Sequence, residues 1–391
     1  MRILHIIDSI SPEAGGTTEA VRMLIRWAPS GYSNELATLD DPSSPYLDAL
    51  PFPVHAFGTG GWYSSRLTNW LKANRERFDG VMVHGLWKYN GLAALRAFAG
   101  TKPYVLFPHG MLDPYFKRAF PAKHLKKSAY WLFIESWVLR GAFRVLFTTA
   151  AERDLARHTF WPSQWEPMVV ALGAEPPPHD PAVSMPAFFS LCPQVEGRRF
   201  LLFLGRIDRK KGCDLLINAF TSLRDSDPDL HLVMAGPDAS GWGVELQAAA
   251  ERGGVASRIH WPGMLEGEAK WGAFEACEAF ILPSHQENFG IAVVEALACG
   301  RPVLISNQVN IAPDVVADGC ALVESDTLEG TQNLLARWLT LSPSERETMS
   351  VQARRSFASR YDMRRNAETI FRVFELSPKP LPKPKTLAEA R

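Results

Sequence analysis

The sequence of 391 residues has few cysteines, no long hydrophobic run and no excess of charge of either sign. Its five cysteines form no C-x-x-C pair and no Cys/His cluster with zinc spacing, which argues against a disulfide framework and a structural zinc site. No apolar run approaches the roughly 18 residues that a membrane-spanning helix needs. Lys plus Arg and Asp plus Glu both number 42, so no overall positive field would attract nucleic acid.

These absences leave a globular protein with reduced thiols, which we expect in the cytoplasm. The opening MRILHIID predicts a buried first strand rather than a signal peptide, because its apolar stretch is short and lacks a cleavage site. No G-x-G-x-x-G follows that strand, which argues against a dinucleotide-dependent oxidoreductase. The length predicts two domains, or at most three.

Short apolar runs alternate with longer amphipathic stretches, as in parallel strands that are buried on both faces and joined by helices. The predicted strands are 2–7, 34–39, 81–84, 104–108, 144–148, 200–205, 230–236, 258–263, 279–284 and 302–306. The clearest predicted helices between them are 18–27, 65–74, 212–223 and 291–299. This alternation predicts an α/β protein with two Rossmann-like, doubly wound parallel sheets.

The composition also suggests domain boundaries. We assign residues 1–172 to an N-terminal domain, the Pro-rich residues 173–198 to a linker and residues 199–360 to a C-terminal domain. Residues 361–376 form a predicted amphipathic helix that we expect to cross back to the first domain. Residues 377–391 alternate Pro and Lys, which predicts a disordered tail.

Glycines and polar residues concentrate just after the predicted strands, where open parallel sheets bind ligands. The loop GRIDRKKG (205–212) places Arg206 and Lys211 there, and two cations on one loop suggest a phosphate or diphosphate. A solvated basic loop is the alternative. The stretch EAGGTTEA (13–20) puts two glycines before a helix, where backbone amides favour an anion, although a plain turn would have the same sequence.

The stretch SHQENFGIAVVEALACG (284–300) holds Glu287 before a predicted helix start and Glu295 within that helix. Amides near Gly290 could hold a phosphate or a sugar hydroxyl. Glu295 could accept from both hydroxyls of a ribose. Capping glutamates on a surface helix are the alternative, which suits Glu287 but not Glu295 with its apolar neighbours.

These motifs, with MAGPD and WPGML, follow one another between residues 200 and 306 and resemble glycosyltransferase family 4, a retaining family with the GT-B fold. The stretch with Glu287 and Glu295 matches the Glu-x7-Glu of the family. The first half resembles it more loosely, through GGTTEAV and PHGMLDP. The resemblance implies two domains facing across a cleft, the first on the acceptor side and the second binding a nucleotide-sugar donor.

The resemblance also implies roles for individual residues. The implied catalytic residues are His109, Arg206, Lys211 and Glu287. The implied donor-binding residues are Gly16, Thr17, Gly205, Gly236, Met264, Asn288, Phe289, Gly290, Ile291 and Glu295. The two cations would neutralise the diphosphate, Glu287 would bind the donor sugar, and Glu295 would bind the ribose. Asn288 departs from the family pattern, where Gly is frequent.

We expect no metal and no cofactor beyond the donor. The D-x-D stretch at 225–227 precedes a strand, on the edge opposite the ligands, and we interpret it as a solvated turn. His5 lies inside the first strand and is predicted to be a core residue.

Residues 115–139 mix aromatic side chains with five basic ones, a pattern typical of an interfacial helix on an anionic membrane. A helix packed on the sheet with snorkelling lysines is the alternative. We favour packing for residues 130–139, and contact with a membrane or an anionic acceptor for the basic part.

The resemblance therefore implies a retaining hexosyltransferase that acts on a lipid-linked or oligosaccharide acceptor, and we expect it to be metal-independent. We expect it in bacterial surface polysaccharide, lipopolysaccharide or glycolipid synthesis, with a peripheral location on the inner face of the cytoplasmic membrane. Two alternatives are a GT-B sugar-nucleotide epimerase and an inactive nucleotide-binding scaffold. The identities of the nucleotide, the sugar and the acceptor stay open.

Overall fold

A computed structural model describes residues 1–12, 15–58, 63–177 and 180–376 of the chain. The predicted tail at 377–391 lies outside the described residues. By its internal contacts the chain divides into two compact units, Met1–Leu172 with Met363–Arg391 and Gly173–Asp362.

The strands, in chain order, are β1 (Arg2–Ile7), β2 (Ser33–Thr38), β3 (Val54–Ala56), β4 (Gly80–His84), β5 (Tyr104–Phe107), β6 (Arg144–Phe147), β7 (Pro167–Val169), β8 (Arg199–Leu204), β9 (Leu230–Ala235), β10 (Ile259–Gly263), β11 (Ala279–Leu282), β12 (Val303–Ser306) and β13 (Ala321–Glu324). The α-helices are α1 (Gly16–Arg26), α2 (Ser65–Asn74), α3 (Tyr89–Phe98), α4 (Tyr115–Ala119), α5 (Pro121–Tyr130), α6 (Ser136–Gly141), α7 (Ala150–Ala156), α8 (Pro181–Leu191), α9 (Cys213–Thr221), α10 (Gly243–Arg252), α11 (Gly267–Ala276), α12 (Ile291–Ala298), α13 (Ala312–Ala317), α14 (Leu328–Thr340), α15 (Pro343–Ser356) and α16 (Met363–Phe371). A π-helical turn, Trp131–Glu135, joins α5 to α6.

The first unit is built on a seven-stranded parallel sheet in the order β3-β2-β1-β4-β5-β6-β7. Leu4 and Ile6 of β1 face a large apolar core, whereas Ile7 packs on the other face with Val21 and Ile25 of α1. Helix α16, from the C-terminal end of the chain, completes this second face, where Phe371 lies against His5 with ring centroids 6.3 Å apart. The chain order reverses direction between β1 and β4, which is where doubly wound sheets bind ligands.

The second unit is built on a six-stranded parallel sheet in the order β10-β9-β8-β11-β12-β13, which reverses between β8 and β11. The two doubly wound parallel sheets predicted from the sequence are thus confirmed. The ten predicted strands are present, and the three strands missed by the prediction are β3, β7 and β13. Each of these three short strands lies at an edge of its sheet.

The predicted linker at 173–198 needs correction, because residues 181–191 form helix α8 of the second unit. Asp180 caps this helix by accepting a hydrogen bond from the amide of Ala182 at 2.9 Å. Phe188 is fully buried, and its ring lies 5.7 Å from that of Phe200 in β8. Helix α8 is therefore part of the core of the second unit.

Candidate functional site

In the second unit, the loops that follow β8, β9 and β10 pack tightly together. Gly236 has a φ of 140°, and a Cβ atom there would lie 1.9 Å from the carbonyl oxygen of Gly205. Its amide donates to the carbonyl of Gly263 at 2.7 Å. Only glycine fits this close approach. The structure thus brings the predicted residues Gly205 and Gly236 into contact at the carboxyl edge of the sheet.

The loop 205–212 is also fixed to the loop that follows β11. Asp208 caps the turn before α9 by accepting from the amide of Lys210 at 2.9 Å. The carbonyl of Lys210 accepts from the amide of His285 at 2.8 Å and from the hydroxyl of Ser284 at 2.9 Å. These bonds position the next residue, Lys211, over the segment that holds Glu287.

Lys211 and Glu287 form a direct ion pair in which the lysine Nζ donates to Oε2 of the glutamate. Their side chains are only 17% and 15% exposed. Burial would raise the pKa of the Glu287 carboxyl, but the charges of Lys211, Lys210 and Arg206 outweigh it and lower that pKa. Glu287 is therefore an ionised carboxylate at neutral pH, next to a cation that the sequence predicted for the same site.

The backbone around Glu287 is held on both sides. Its amide donates to Gln308 and its carbonyl accepts from Asn310, both at 3.0 Å. The side-chain amide of Asn310 also donates to the side-chain oxygen of Asn288 at 3.3 Å. A neighbouring loop thus orients the side chain of Asn288. The family pattern often has glycine at this position.

Helix α12 starts at Ile291, directly after Gly290, as the sequence predicts. Phe289 is buried and packs edge-on against Tyr361 with ring centroids 6.0 Å apart. This contact fixes the turn that carries the amides at the start of the helix. The four predicted donor-binding residues from 288 to 291 therefore form one ordered turn.

Glu295 is buried in α12 and is bound to Lys270 of α11, whose Nζ donates to Oε1 at 2.7 Å. The sequence analysis missed Lys270, because a partner 25 positions away on another helix follows no spacing rule. A carboxylate has about four lone-pair sites, so this bond is compatible with further hydroxyl donors. Lys270 would orient the carboxylate that is predicted to bind the ribose.

The remaining predicted residues lie at loop or helix ends. In the second unit, Arg206 is exposed at the end of β8 and Met264 is exposed after β10. In the first unit, Gly16 and Thr17 are the first two residues of α1. The charge of Arg206 acts on the carboxyl of Glu287.

His109 follows β5 in the first unit, at the carboxyl edge of that sheet. Its φ of 50° lies in the left-handed region, which is unusual for a residue with a side chain. The carboxylate of Glu152 anchors the turn by accepting from the amides of Gly110 and Thr148, both at 2.7 Å. Burial lowers the pKa of the His109 imidazole to about 4, so its ring is neutral near pH 7. Sequence analysis missed Glu152.

Within the described residues, no group of three His, Cys, Asp or Glu side chains could hold a metal ion. The D-x-D stretch lies in the turn before β9, as the sequence predicts, and Asp225 is exposed. Asp227, in contrast, is mostly buried in an ion pair with Arg199 at 3.0 Å, so the prediction of a fully solvated turn is wrong for this residue.

Comparison with known proteins assigns both halves of the chain. Residues 15–173 match the family model described as glycosyl transferase 4-like domain, and residues 192–356 match that of glycosyl transferases group 1. The D-inositol 3-phosphate glycosyltransferase of Actinosynnema mirum is 34% identical over 162 residues, covering 39% of this chain and 38% of that protein. The enzyme of the same name from Paenarthrobacter aurescens is 33% identical over 182 residues, covering 44% and 43%. The matches thus span less than half of either relative.

Two solved structures are similar over nearly the whole chain. Sucrose-phosphate synthase from Thermosynechococcus elongatus has a TM-score of 0.74 and 18% identity, covering 96% of this chain and 98% of that one. The Anabaena protein HepE, solved with UDP and glucose, has a TM-score of 0.76 and 17% identity, covering 96% and 100%. Identities this low establish the shared fold only. With the two family models and the two doubly wound sheets, they show that the chain belongs to the group 1, 4-like glycosyltransferases of the GT-B fold.

Proposed function

We propose that the protein is a retaining glycosyltransferase that moves a sugar from a nucleotide-sugar donor to an acceptor hydroxyl without a metal ion. The observation that carries this proposal is the mostly buried ion pair of Lys211 and Glu287, fixed at the carboxyl edge of the second sheet. The similar HepE structures contain UDP and UDP-glucose, which supports a donor of this chemical class.

In this proposal Lys211 serves two anions. An ammonium group has three donors, so Lys211 can keep its bond to Glu287 and donate to a phosphate oxygen as well. Arg206, exposed on the same loop, supplies a second cation. As the bond between sugar and diphosphate breaks, negative charge grows on the leaving oxygen, and fixed cations there lower the barrier.

The ion pair also bears on the stereochemical course. Oε2 of Glu287 is bound to Lys211, which ties this oxygen to a cation and disfavours a covalent intermediate on Glu287. We therefore propose front-face displacement. The acceptor oxygen forms its bond on the face from which the diphosphate departs, and the diphosphate takes the acceptor proton.

Thermal-shift screening with UDP, GDP and ADP and their sugars tests donor binding. A nucleotide at a hundred times its dissociation constant stabilises by about 2.7 kcal/mol. Lys211→Met should lose most of this shift, whereas Lys72→Met on α2 of the first unit should keep it. Absence of a shift with every nucleotide would contradict the proposal.

Product analysis by NMR then tests the reaction. We expect the anomeric configuration of the donor to be retained in the product. An inverted product would exclude front-face displacement. An epimerised nucleotide sugar formed without an acceptor would instead favour the isomerase alternative.

The segment 115–139 supports an acceptor at an anionic membrane surface. Its exposed apolar side chains include Leu125 at 74% and Phe133 at 80% exposure, and Lys123 and Lys126 of the same segment are also exposed. Exposed apolar and basic side chains within one helical segment are typical of interfacial binding. No helix within the described part of the chain is long and apolar enough to cross a membrane.

Two details refine the sequence-based view of this segment. Lys127 lies with its Nζ 4.2 Å from the centre of the Trp87 ring, and burial lowers the pKa of this amine to about 8. Lys127 therefore makes a cation–π contact within the first unit. Trp131 and Val138 are buried in the core, as expected for the packed part, whereas Phe133 is exposed within it.

Sedimentation with vesicles of phosphatidylcholine, with and without phosphatidylglycerol, tests this surface. Replacing Lys123 and Lys126 with alanine should weaken binding only to the anionic vesicles, because each cation near such a surface contributes about 1 kcal/mol. Phe133→Ser should weaken binding to both. Val244→Ser, at an apolar residue of the second unit that is 74% exposed, is the control. Equal binding by all four proteins would refute the membrane proposal.

A further inference from the structure

A line of hydrogen-bonded polar side chains crosses the apolar sheet of the first unit and ends at His109. Asn34 of β2 lies with Oδ1 3.1 Å from Nε2 of His5 in β1. Nδ1 of His5 lies 3.1 Å from Nε2 of His84 in β4. Nδ1 of His84 lies 3.2 Å from Nε2 of His109. We call these four residues the histidine chain.

The strand register explains this alignment. His5 pairs with Met82 in β4, and His84 stands two positions further along. His84 pairs with Phe107 in β5, and His109 again stands two positions further along. Asn34 pairs with Ile3, and residues two apart in a strand point to the same face, so Asn34, His5 and His84 lie on one face and advance toward the carboxyl edge. His109 lies beyond the end of β5, and its ring lies 5.4 Å from that of Phe107.

The middle of the histidine chain is buried and closely packed. His5 and His84 are fully buried, and their rings stack with centroids 5.3 Å apart and planes only 4° from parallel. Phe371 covers His5, and Phe107 stacks on His84 with centroids 5.4 Å apart. Buried polar groups are costly unless each is hydrogen-bonded, and charged ones more so. Burial lowers the pKa of His5 to about 4 and that of His84 well below its usual value.

One amide oxygen therefore sets the proton positions of three neutral rings. Since Oδ1 of Asn34 can only accept, Nε2 of His5 carries the proton and its Nδ1 carries the lone pair. That lone pair accepts from Nε2 of His84, and the lone pair on Nδ1 of His84 in turn accepts from Nε2 of His109. Because Nε2 of His109 carries the proton of this neutral ring, its Nδ1 is an acceptor.

We propose that Asn34, His5 and His84 are positioning residues that hold the His109 ring with its proton on Nε2, so that Nδ1 accepts a hydrogen bond from a hydroxyl group of the sugar substrate. The identity of this substrate rests on the proposed function. The proton position on the His109 ring does not depend on the proposed function. The left-handed backbone of His109 and its anchoring through Glu152 fit a side chain held in one orientation for use.

NMR of the full-length, ligand-free protein with ¹⁵N-labelled histidine tests the proton positions at pH 8. Correlations between ring nitrogens and carbon-bound protons distinguish the two neutral tautomers, and single His→Gln variants assign the signals. We expect protons on Nε2 of His5, His84 and His109. A proton on Nδ1 of His109 would overturn the proposal.

Two substitutions of Asn34 test its role. Asn34→Asp keeps an oxygen that can only accept, so the tautomers should not change. Asn34→Leu removes the acceptor, so His109 should become a mixture of tautomers. A reversal of tautomers in Asn34→Asp, or an unchanged His109 in Asn34→Leu, would refute the assignment. The stacked pair His231 and His260 of the second unit is an internal control that neither substitution should affect.

Steady-state kinetics then separates this inference from the function. In a serine protease, a wrong histidine tautomer lowers kcat by about 10⁴. For a residue that binds a hydroxyl we expect a smaller fall in kcat for Asn34→Leu, on the order of tenfold. Expected NMR results without any sugar transfer would refute only the proposed function. Sugar transfer at wild-type kcat in Asn34→Leu would refute the role of the histidine chain.

Discussion

Replacing Lys211 with methionine removes the cation bound to Glu287 while keeping a side chain of similar length. Two unit charges about 4 Å apart attract by roughly 4 kcal/mol at an effective dielectric constant of about 20. With 17% and 15% of the two side chains exposed, water weakens this attraction. We therefore expect a coupling free energy of about 2 to 3 kcal/mol between Lys211 and Glu287.

A double-mutant cycle measured by urea unfolding at pH 7 gives this coupling. It compares the wild type, Lys211→Met, Glu287→Gln and the double variant in the transition of the second unit. Lys210 and Arg206 still favour the carboxylate in Lys211→Met, so that variant should cost less than the 3 to 5 kcal/mol typical of a broken buried pair. The matched comparison pairs Lys210→Met with Glu287→Gln, which makes the same charge change one residue away. Because Lys210 acts on this carboxyl less strongly than Lys211, we expect a smaller coupling free energy.

The pH dependence gives the same cycle a second readout. Because the folded protein lowers the pKa of Glu287 below its ordinary 4.5, the stability from this pair is present above pH 4.5 and is lost as pH falls through the folded value. The coupling should thus shrink in acid. A coupling below about 0.5 kcal/mol at pH 7, as in exposed pairs, would refute the reasoning.

Three further predictions concern the two units. Glu295→Gln should raise KM for the donor with kcat nearly unchanged, and Lys270→Met should do the same because it orients Glu295; a large fall in kcat would contradict this. Turnover should survive EDTA, and activity that is lost in EDTA and restored by magnesium or manganese would contradict metal independence. The free energy of unfolding should fall as pH drops from 6.5 to about 4, since the neutral rings of His5, His84 and His109 gain protons only on unfolding. Each proton gained on unfolding changes the free energy of unfolding by about 1.4 kcal/mol per pH unit. His84→Phe should reduce the pH dependence by the contribution of about one proton, which urea unfolding at several pH values would measure.

The central strands of both sheets could be predicted from the sequence because burial on both faces requires continuous apolar runs. The edge strands β3, β7 and β13 have three or four residues and are partly exposed, so that signal is absent. Helix α8 was missed for a different reason. Its Pro-rich composition suggested a linker, although Asp180 followed by Pro181 is a typical helix start.

The candidate site shows the same division between local and long-range information. Motif spacing predicted Lys211 and Glu287, and the structure brings them into contact. The bond between Lys270 and Glu295 depends on how two helices pack, which no local pattern specifies. The histidine chain depends on the register of adjacent strands. His5, predicted to be a core residue, is indeed buried, but its hydrogen bond to His84 could not be foreseen.

The division of the chain into units has a consequence for the order of folding during synthesis. The second unit, Gly173–Asp362, is continuous in sequence, whereas the first needs Met363–Phe371 to cover His5. At about 5 to 20 residues per second, the ribosome needs on the order of ten seconds or more to make the second unit. During that time the face of the first sheet around His5 lacks its last helix. The first unit therefore begins to form first but is completed last, and a chain shortened at residue 362 would leave that face uncovered.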